Sequence, residues 1–315
     1  MQRHALGTTE LEVSELGFGA SPLGGVFGTF AEQDGIDAVH TALELGVTFF
    51  DVSPFYGLTR AETVLGKALR GIERSSYVLA TKVGRYGDAE FDFTAERVGP
   101  SVRESLERLG TDHLDLVQCH DIEFGDLDQV VEQTLPALRR LQEEGLVRYV
   151  GITGYPLPAL AYVAGKSPVD AVMSYCQYTL QDRRLAGWRD RFAQQGVGVV
   201  NAAPLAMGAL TDQGPPPWHP APARVLERCA AAAELCRRRG TELARLALQF
   251  SVATGAVAST VVGAVHPDEV RRNVRWIGEP LDEQLLREVE QVLAPVRDVG
   301  WISGRPENQD PRTAP

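Results

Sequence analysis

Eight short apolar runs, each followed by a longer amphipathic stretch, constrain the fold of this chain more than any other feature. The runs are rich in β-branched residues and have the length of buried strands. In order they are SELGFGA, VTFFDV, SYVLATKV, HLDLVQCH, VRYVGIT, VDAVMSY, VGVVNAA and ASTVVGA. Several of the intervening helical stretches end on a glycine, as helix C-caps commonly do. This alternation indicates parallel βα units.

Eight such units in 315 residues predict an α/β fold, a single closed (β/α)₈ TIM barrel, in preference to an open doubly wound sheet. An open dinucleotide-binding sheet should carry G-x-G-x-x-G after its first strand, and GFGASPLGG lacks that spacing. Before the first strand, HALGTTELEVSELG predicts a hairpin that turns at Gly7–Thr9 and plugs the N-terminal mouth of the barrel. The Pro-rich segment Thr211–Ala223 predicts a long active-site loop after the seventh strand.

Two regions divide the chain in this interpretation. Residues 1–305 form the barrel, and residues 306–315, which are polar and contain proline, form a flexible C-terminal tail. Just before this tail, an alternative left open is that Trp301 folds back over the barrel mouth.

Composition narrows the class of function. The net charge is −11, whereas sequence-independent binding of nucleic acid needs a dense Lys and Arg surface. The four cysteines are scattered without the spacing of a zinc site or a disulfide framework. The N-terminus has no apolar signal core, and no run approaches the roughly 18 apolar residues of a membrane span. We therefore predict a cytoplasmic protein, a monomer or weak homo-oligomer, that acts on a small molecule without metal, nucleic acid or membrane.

Polar residues stand at the ends of three successive predicted strands. Asp51 ends the second strand, Lys82 the third and His120 the fourth, and Tyr56 lies five residues after Asp51. The C-terminal ends of barrel strands converge on one face, which makes these residues candidates for function. Each one taken singly has a structural alternative, because acids often cap turns and a lone Lys or His often forms a structural pair.

Taken together the four residues suggest acid–base chemistry. Asp51 and Lys82 on neighbouring strands can form a buried ion pair, which is costly to desolvate. An ammonium beside Tyr56 favours the phenolate, so we expect a lowered tyrosine pKa and proton transfer near neutral pH. His120 can orient a substrate oxygen. One acid and one histidine do not make a metal-ligand set.

The contexts FFDVSPFYG, ATKVG and LVQCHD resemble the catalytic tetrad of the aldo-keto reductase superfamily. The resemblance runs nearly end to end and includes LGFGASPLGG, SLERLGTDHLDLVQCHD, LRRLQEEGLVRYVGITG and NAAPLAMGALT. Segments such as CHDIEFGDLDQVVEQTLPAL and PLAMGALTDQGPPPWHPA look most like the L-galactose dehydrogenase group of that superfamily, the NAD-dependent aldose 1-dehydrogenases.

This resemblance implies a reaction and roles. Tyr56 is the expected general acid or base, Lys82 held by Asp51 tunes it, and His120 orients the reacting oxygen over a nicotinamide. The expected reaction passes hydride from C1 of a free aldose, of the L-galactose or L-fucose type, to NAD and gives the lactone. Two alternatives stay open: an NADPH-dependent reductase of non-sugar aldehydes or ketones, and a nicotinamide-binding regulatory protein without useful turnover.

The resemblance also implies a cofactor site and a substrate pocket. NADP-preferring members carry an Arg where this chain has Glu269, and a carboxylate would repel a 2′-phosphate, so NAD is expected over NADP. The alternative is that Glu269 is only a first-turn acid favoured by the helix dipole. The expected cofactor residues are Gly19, Ala20, Asp51, Thr153, Ser174, Ala203, Pro204, Leu205, Met207, Gly208, Gly263, Val265, Glu269 and Asn273. The expected substrate residues are Phe55, Tyr56, His120, Ile122, Tyr155 and Trp218.

Overall fold

The computed structural model describes residues 1–253, 255 and 257–309. Eight parallel strands close into a barrel in chain order, with the last strand paired to the first. An antiparallel hairpin of two short strands precedes them. The hairpin strands are β1 (Arg3–Ala5) and β2 (Glu12–Ser14), and the barrel strands are β3 (Leu16–Gly19), β4 (Phe49–Asp51), β5 (Val78–Val83), β6 (Leu114–Cys119), β7 (Val147–Gly154), β8 (Ala171–Tyr175), β9 (Gly198–Ala202) and β10 (Ser259–Gly263). Each barrel strand coincides with one of the eight predicted runs, β7 extending one residue beyond its run, so the predicted (β/α)₈ fold is confirmed.

Helices surround the barrel, and most of them bury their apolar stripes against it. They are α1 (Glu32–Glu44), α2 (Arg60–Leu69), α3 (Ala95–Leu109), α4 (Leu127–Gln129), α5 (Leu135–Glu143), α6 (Leu157–Lys166), α7 (Ala186–Ala193), α8 (Ala223–Arg238), α9 (Leu243–Ala253), α10 (Pro267–Gly278) and α11 (Glu283–Leu293). Residues Val130–Thr134 join α4 to α5 as a π-helical segment just before Pro136, whose ring cannot donate to the helical ladder.

Two helices differ from the sequence pattern. Helix α7 begins only at Ala186, because the segment before it forms a turn in which Asp182 holds the Arg184 side chain. Helix α11 lies beyond the eighth βα unit, where the prediction stopped. Its buried residues Leu285, Val289 and Leu293 recur every four positions, and Asp282 accepts a hydrogen bond from the Leu285 N–H at its start. Both are readable signals of an amphipathic helix.

The N-terminal hairpin covers the N-terminal end of the barrel, as predicted. Its apolar residues Leu6, Leu11 and Val13 are buried and pack with barrel residues such as Phe49 and Leu116. Burying one such side chain contributes roughly 1.5–3 kcal/mol. The turn requires glycine at position 7, where φ is +61° and a Cβ would lie 2.4 Å from the carbonyl oxygen of Gly196. The opposite mouth is left for polar residues.

The C-terminal segment folds back onto the barrel. Trp301 stacks on Tyr155 with ring centroids 4.3 Å apart, which agrees with the alternative that it covers the mouth. Within the region predicted as a flexible tail, Pro306–Asn308 form a 3₁₀ turn, and the buried Asn308 side chain donates to the carbonyl oxygens of Glu123 and Gly125. The rest of that prediction, 310–315, lies outside the described residues. Among the helices of the described chain, none is long and apolar enough to cross a membrane.

Candidate active site

A buried ion pair joins strands β4 and β5 at the C-terminal mouth of the barrel. The Lys82 Nζ lies 2.5 Å from Asp51 Oδ1 and 2.8 Å from the carbonyl oxygen of Val52, and both charged residues are buried. Asp51 Oδ2 accepts a second hydrogen bond, of 3.1 Å, from Gln118 Nε2 on β6. Burial alone would lower the pKa of Lys82, but Asp51 and Tyr56 raise it, so the lysine stays an ammonium.

Tyr56 is held beside this ammonium by a tightly packed turn. Lys82 Nζ lies 5.0 Å from the centroid of its ring. Gly57, Leu58 and Thr59, the next three residues, all have positive φ, which reverses the chain at once. A Cβ at Gly57 would lie 2.1 Å from the carbonyl oxygen of Gly24, so glycine is required for this close approach. In the five residues after Asp51 the chain therefore leaves β4, and the turn that follows directs the phenol of Tyr56 back towards the mouth.

The expected lowering of the Tyr56 pKa does not hold as a net effect. Burial is the largest influence and raises the pKa of the phenol above its ordinary value, while the charge of Lys82 acts in the opposite direction. Asp51 and Asp121 add to the raising. The tyrosine is therefore a protonated phenol at neutral pH, ready to donate a proton, and it becomes a base only at higher pH.

His120 is a neutral imidazole within this cluster. Its Nδ1 lies 2.9 Å from the Ser53 hydroxyl oxygen, and its ring meets the Tyr56 ring edge-on at 5.6 Å between centroids. Burial lowers the pKa of His120 to about 3, with Asp121 opposing and Lys82 and Arg85 reinforcing the effect. A neutral imidazole can orient an oxygen by hydrogen bonding without adding a second positive charge.

An aromatic and charged wall flanks His120. The Phe55 ring lies 5.9 Å from the His120 ring and beneath the Arg85 guanidinium, whose carbon is 3.8 Å from the Phe55 centroid. Arg85 Nη1 also lies 2.5 Å from Asp121 Oδ2. Sequence reasoning placed Phe55 near the tetrad but missed Ser53, Arg85 and Asp121. The position of Asp121 directly after His120 was the available signal.

The other predicted substrate residues divide into three cases. Ile122 is fully buried in the core between barrel and helices, because the turn that follows the left-handed Asp121 points it inward, so it does not line an accessible pocket. Tyr155 is buried under Trp301, and its hydroxyl accepts from Arg184 Nη2 at 3.1 Å. Trp218 is half exposed and packs on Phe27, 6.0 Å away between centroids.

Sequence reasoning also missed Glu123, which anchors the C-terminal segment over the mouth. Its Oε1 accepts from the Tyr155 N–H and from the Ser303 hydroxyl, each at 3.0 Å. Its Oε2 is buried with no partner among the described residues. Burial, reinforced by the charge of Asp121, raises the pKa of Glu123 to about 8. No local pattern announces this role, because Ser303 lies 180 positions away in the sequence.

The loop after β9 has an unusually strained backbone. Ala203, Ala206 and Met207 have positive φ although none is glycine, and Gly208 continues the run. Such strain persists mainly where function requires it. The N–H groups of Ala203, Ala206 and Gly208 donate to the backbone carbonyl oxygens of Val261, Ala203 and Leu205, so the loop is closed largely by its own hydrogen bonds. Pro204 and Leu205 lie in the same loop.

Thr153 and Ser174, at the ends of β7 and β8, are buried, and the Ser174 hydroxyl donates to Gln177 Oε1 at 2.9 Å. These donors and acceptors suit an amide ligand.

The first turn of α10 shows what Glu269 does in the protein. Its Oε2 accepts from the backbone N–H groups of Val265, at 2.9 Å, and His266, at 3.3 Å, and so completes a capping box. Glu269 therefore has, in the structure, the alternative role of an acid at the start of a helix. Two loop amides that could bind an anion are already occupied by a carboxylate.

The remaining predicted cofactor residues lie around the β3–β10 junction or on α10. Gly19 pairs with Gly263 in the barrel register, and the Ala20 N–H donates to the carbonyl oxygen of Asp51 at 2.8 Å. Asn273 is buried on α10. The structure thus brings the strand ends of β3, β4 and β10 together, next to the tetrad, with the helix N-terminus of α10 nearby.

The closed barrel with an Asp, Tyr, Lys and His cluster at its C-terminal mouth defines a class of oxidoreductase. The chain belongs to the aldo/keto reductase family, whose family model matches residues 15–294. Enzymes of this family use nicotinamide cofactors. The residues described above fit such a group, because the buried Thr153 and Ser174 offer donors and acceptors for an amide, and the Glu269 carboxylate at the start of α10 can accept from a ribose hydroxyl.

Particular relatives are sugar dehydrogenases. The chain is 47% identical to an L-galactose dehydrogenase of Arabidopsis thaliana, over 98% of this chain and 99% of the relative. It is 34% identical to a D-arabinose 1-dehydrogenase of Saccharomyces cerevisiae, over 69% of this chain and 68% of the relative. Among solved structures, the holo form of an aldo-keto reductase from Bacillus halodurans superposes with a TM-score of 0.79 at 30% identity, covering 98% of this chain and 99% of that chain.

Proposed function

We propose that this protein oxidises the C1 hydroxyl of a free aldose, of the L-galactose or L-fucose type, with NAD and releases the lactone. The observation that carries the proposal is the Asp51–Lys82 pair beside Tyr56, with the neutral imidazole of His120 edge-on to the same phenol. Similarity to aldose 1-dehydrogenases from three organisms supports the choice of a sugar. The predicted aldose 1-dehydrogenase type of activity agrees with these relatives.

Each residue of the tetrad has a separate role in this reaction. Tyr56, as the phenolate, takes the proton from the C1 hydroxyl while the hydrogen on C1 leaves as hydride and the C1–O bond becomes a carbonyl. Lys82 stabilises the phenolate, and Asp51 keeps Lys82 charged inside the barrel. His120 donates to the reacting oxygen and fixes its position. A bound nicotinamide supplies the hydride acceptor.

Thr153 and Ser174 would hold the carboxamide, the loop Ala203–Gly208 the pyrophosphate, and the start of α10 the adenosine ribose. Glu269 supports NAD over NADP for two physical reasons. Its carboxylate would repel a 2′-phosphate, and it already accepts from the amides of Val265 and His266 that could bind one.

A panel of L- and D-sugars assayed with NAD tests the reaction. We expect turnover of one or more aldoses and formation of the corresponding lactone, with a loss of roughly 10²–10⁴-fold in kcat for Tyr56→Phe. Circular dichroism of the variant should match that of the wild type. Turnover of non-sugar carbonyl compounds with NADPH, and of no sugar with NAD, would overturn the proposal in favour of a reductase.

Three variants test the cofactor preference. Glu269→Arg should raise the efficiency with NADP relative to NAD, and Glu269→Gln, which keeps the cap, should do so more weakly. Asp268→Arg is the matched control, because it reverses an adjacent charge whose side chain is 98% exposed and is not part of the capping box. An equal response in Asp268→Arg would mean that overall charge, and not the position of Glu269, sets the preference.

A further inference from the structure

The buried hydroxyl of Ser53 has two neighbours. Its Oγ lies 2.9 Å from His120 Nδ1 and accepts a 3.2 Å hydrogen bond from the Phe55 N–H. Ser53 is fully buried, two residues after Asp51 and three before Tyr56, so the segment that carries the ion pair and the phenol also reaches the imidazole. None of the roles assigned so far to the tetrad uses this serine.

We propose that Ser53 is a positioning residue that donates its hydroxyl proton to Nδ1 and so holds His120 as the Nε2–H tautomer, which can donate to the reacting oxygen of the substrate. Its consequence for turnover rests on the proposed function. The tautomer itself does not, because it is a property of the protein without substrate.

The hydrogen-bond partners of the Ser53 hydroxyl determine that Ser53 donates to Nδ1 and does not accept from it. The Ser53 oxygen already accepts from the Phe55 N–H, and its one proton needs an acceptor. Among the described residues, His120 Nδ1 is the group within hydrogen-bond distance that can accept it. The opposite tautomer would make Nδ1 a donor and leave the Ser53 O–H buried without an acceptor, which is a costly arrangement.

The other ring nitrogen supports the same tautomer. Nε2 lies 3.7 Å from Asp121 Oδ2, and this negative oxygen favours an N–H at Nε2 over a lone pair. That separation is too long for a direct hydrogen bond, and Arg85 Nη1 holds the same carboxylate oxygen at 2.5 Å. The Nε2–H is therefore kept available for a ligand.

Burial keeps the imidazole neutral, which the tautomer requires, and charges on the neighbouring elements act on it in both directions. Lys82 on β5 and Arg85 after it disfavour a second positive charge, and Asp121 favours one, but burial dominates and lowers the pKa of His120. Tyr56 contributes a protonated phenol at neutral pH. His120 thus acts as a hydrogen-bond donor and not as an acid, and only its tautomer remains to be chosen.

Nitrogen-15 NMR of histidine-labelled protein reads the tautomer directly, with His120→Asn used to assign the signal. We expect Nε2–H in the wild type, a shift towards Nδ1–H or a mixture in Ser53→Ala, and recovery of Nε2–H in Ser53→Thr. Ser101→Ala, which removes another fully buried hydroxyl, on α3, should leave the His120 signal unchanged. Nδ1–H in the wild type, or an unchanged tautomer in Ser53→Ala, would overturn the proposal.

Kinetics test the consequence for turnover. Ser53→Ala should lower kcat by roughly 10-fold to 100-fold, less than the roughly 10²–10³-fold expected for loss of a whole donor, with a smaller change in KM. Ser53→Thr should restore activity, and Ser101→Ala should leave it unaltered. A changed tautomer with unaltered kcat would refute the positioning role. If the wild type turns over no sugar, the proposed function fails, while the NMR result still decides the tautomer.

Discussion

Replacing Lys82 by methionine removes the cation of the buried pair while keeping an unbranched side chain of similar length. Asp51 then remains buried with the Gln118 amide as its described side-chain donor. Because the two charges lie 2.5 Å apart and both are almost fully shielded from water, the pair falls in the class where loss of one partner costs about 3–5 kcal/mol. We expect that loss in the free energy of unfolding near neutral pH.

The loss of stability in Lys82→Met should become larger as pH rises. Burial raises the pKa of Asp51, and Lys82 opposes this effect in the wild type. Without Lys82 the pKa of Asp51 in the folded protein rises further above its unfolded value of about 3.9. The contribution of Asp51 to stability is then fully present below that value and is lost as pH rises. The slope of the variant relative to the wild type cannot exceed about 1.4 kcal/mol per pH unit for one proton.

Urea denaturation at several pH values between about 4.5 and 8 measures both effects. A double variant, Asp51→Asn with Lys82→Met, provides the control, because it leaves no unpaired charge and should recover much of the stability without recovering activity. If Lys82→Met is as stable as the wild type near pH 8, or the double variant is no more stable than the single one, the reasoning about an ionic buried pair is refuted.

Three further outcomes concern neighbouring groups. Because burial raises the pKa of Glu123 to about 8, above its unfolded value of about 4.3, wild-type stability should fall as pH rises through that interval, and Glu123→Gln should remove this fall in urea titrations. Arg85→Met should raise the pKa of His120, measured by NMR, because it removes a repelling charge and frees Asp121. The kcat/KM for oxidation should increase with pH above neutrality as the Tyr56 phenol ionises, without a titration near pH 6.5; such a titration would contradict the neutral His120.

The barrel and the tetrad could be predicted from the sequence because both depend on local patterns. Parallel strands that alternate with helices leave few topologies, and residues at the C-terminal ends of barrel strands converge whatever the details of packing. Asp51, Lys82 and His120 therefore came together without any calculation of contacts. Helix α11 was not predicted although its apolar spacing and its N-cap are local signals, because eight βα units already complete the barrel pattern.

The features that the sequence could not predict depend on opposing effects on a pKa, or on contacts between residues that lie far apart in the sequence. Whether burial or Lys82 governs the pKa of Tyr56 depends on how far the fold excludes water, which no local pattern states.

By itself, then, the sequence determined the eight-unit barrel, the family and the residues that carry the chemistry. Only the tertiary structure decided that Glu269 caps a helix, that Ser53 reaches a histidine 67 positions away and that Trp301 covers Tyr155. The reason is physical: strand and helix periodicities are written in neighbouring residues, whereas a hydrogen bond across the barrel mouth exists only once the chain has closed.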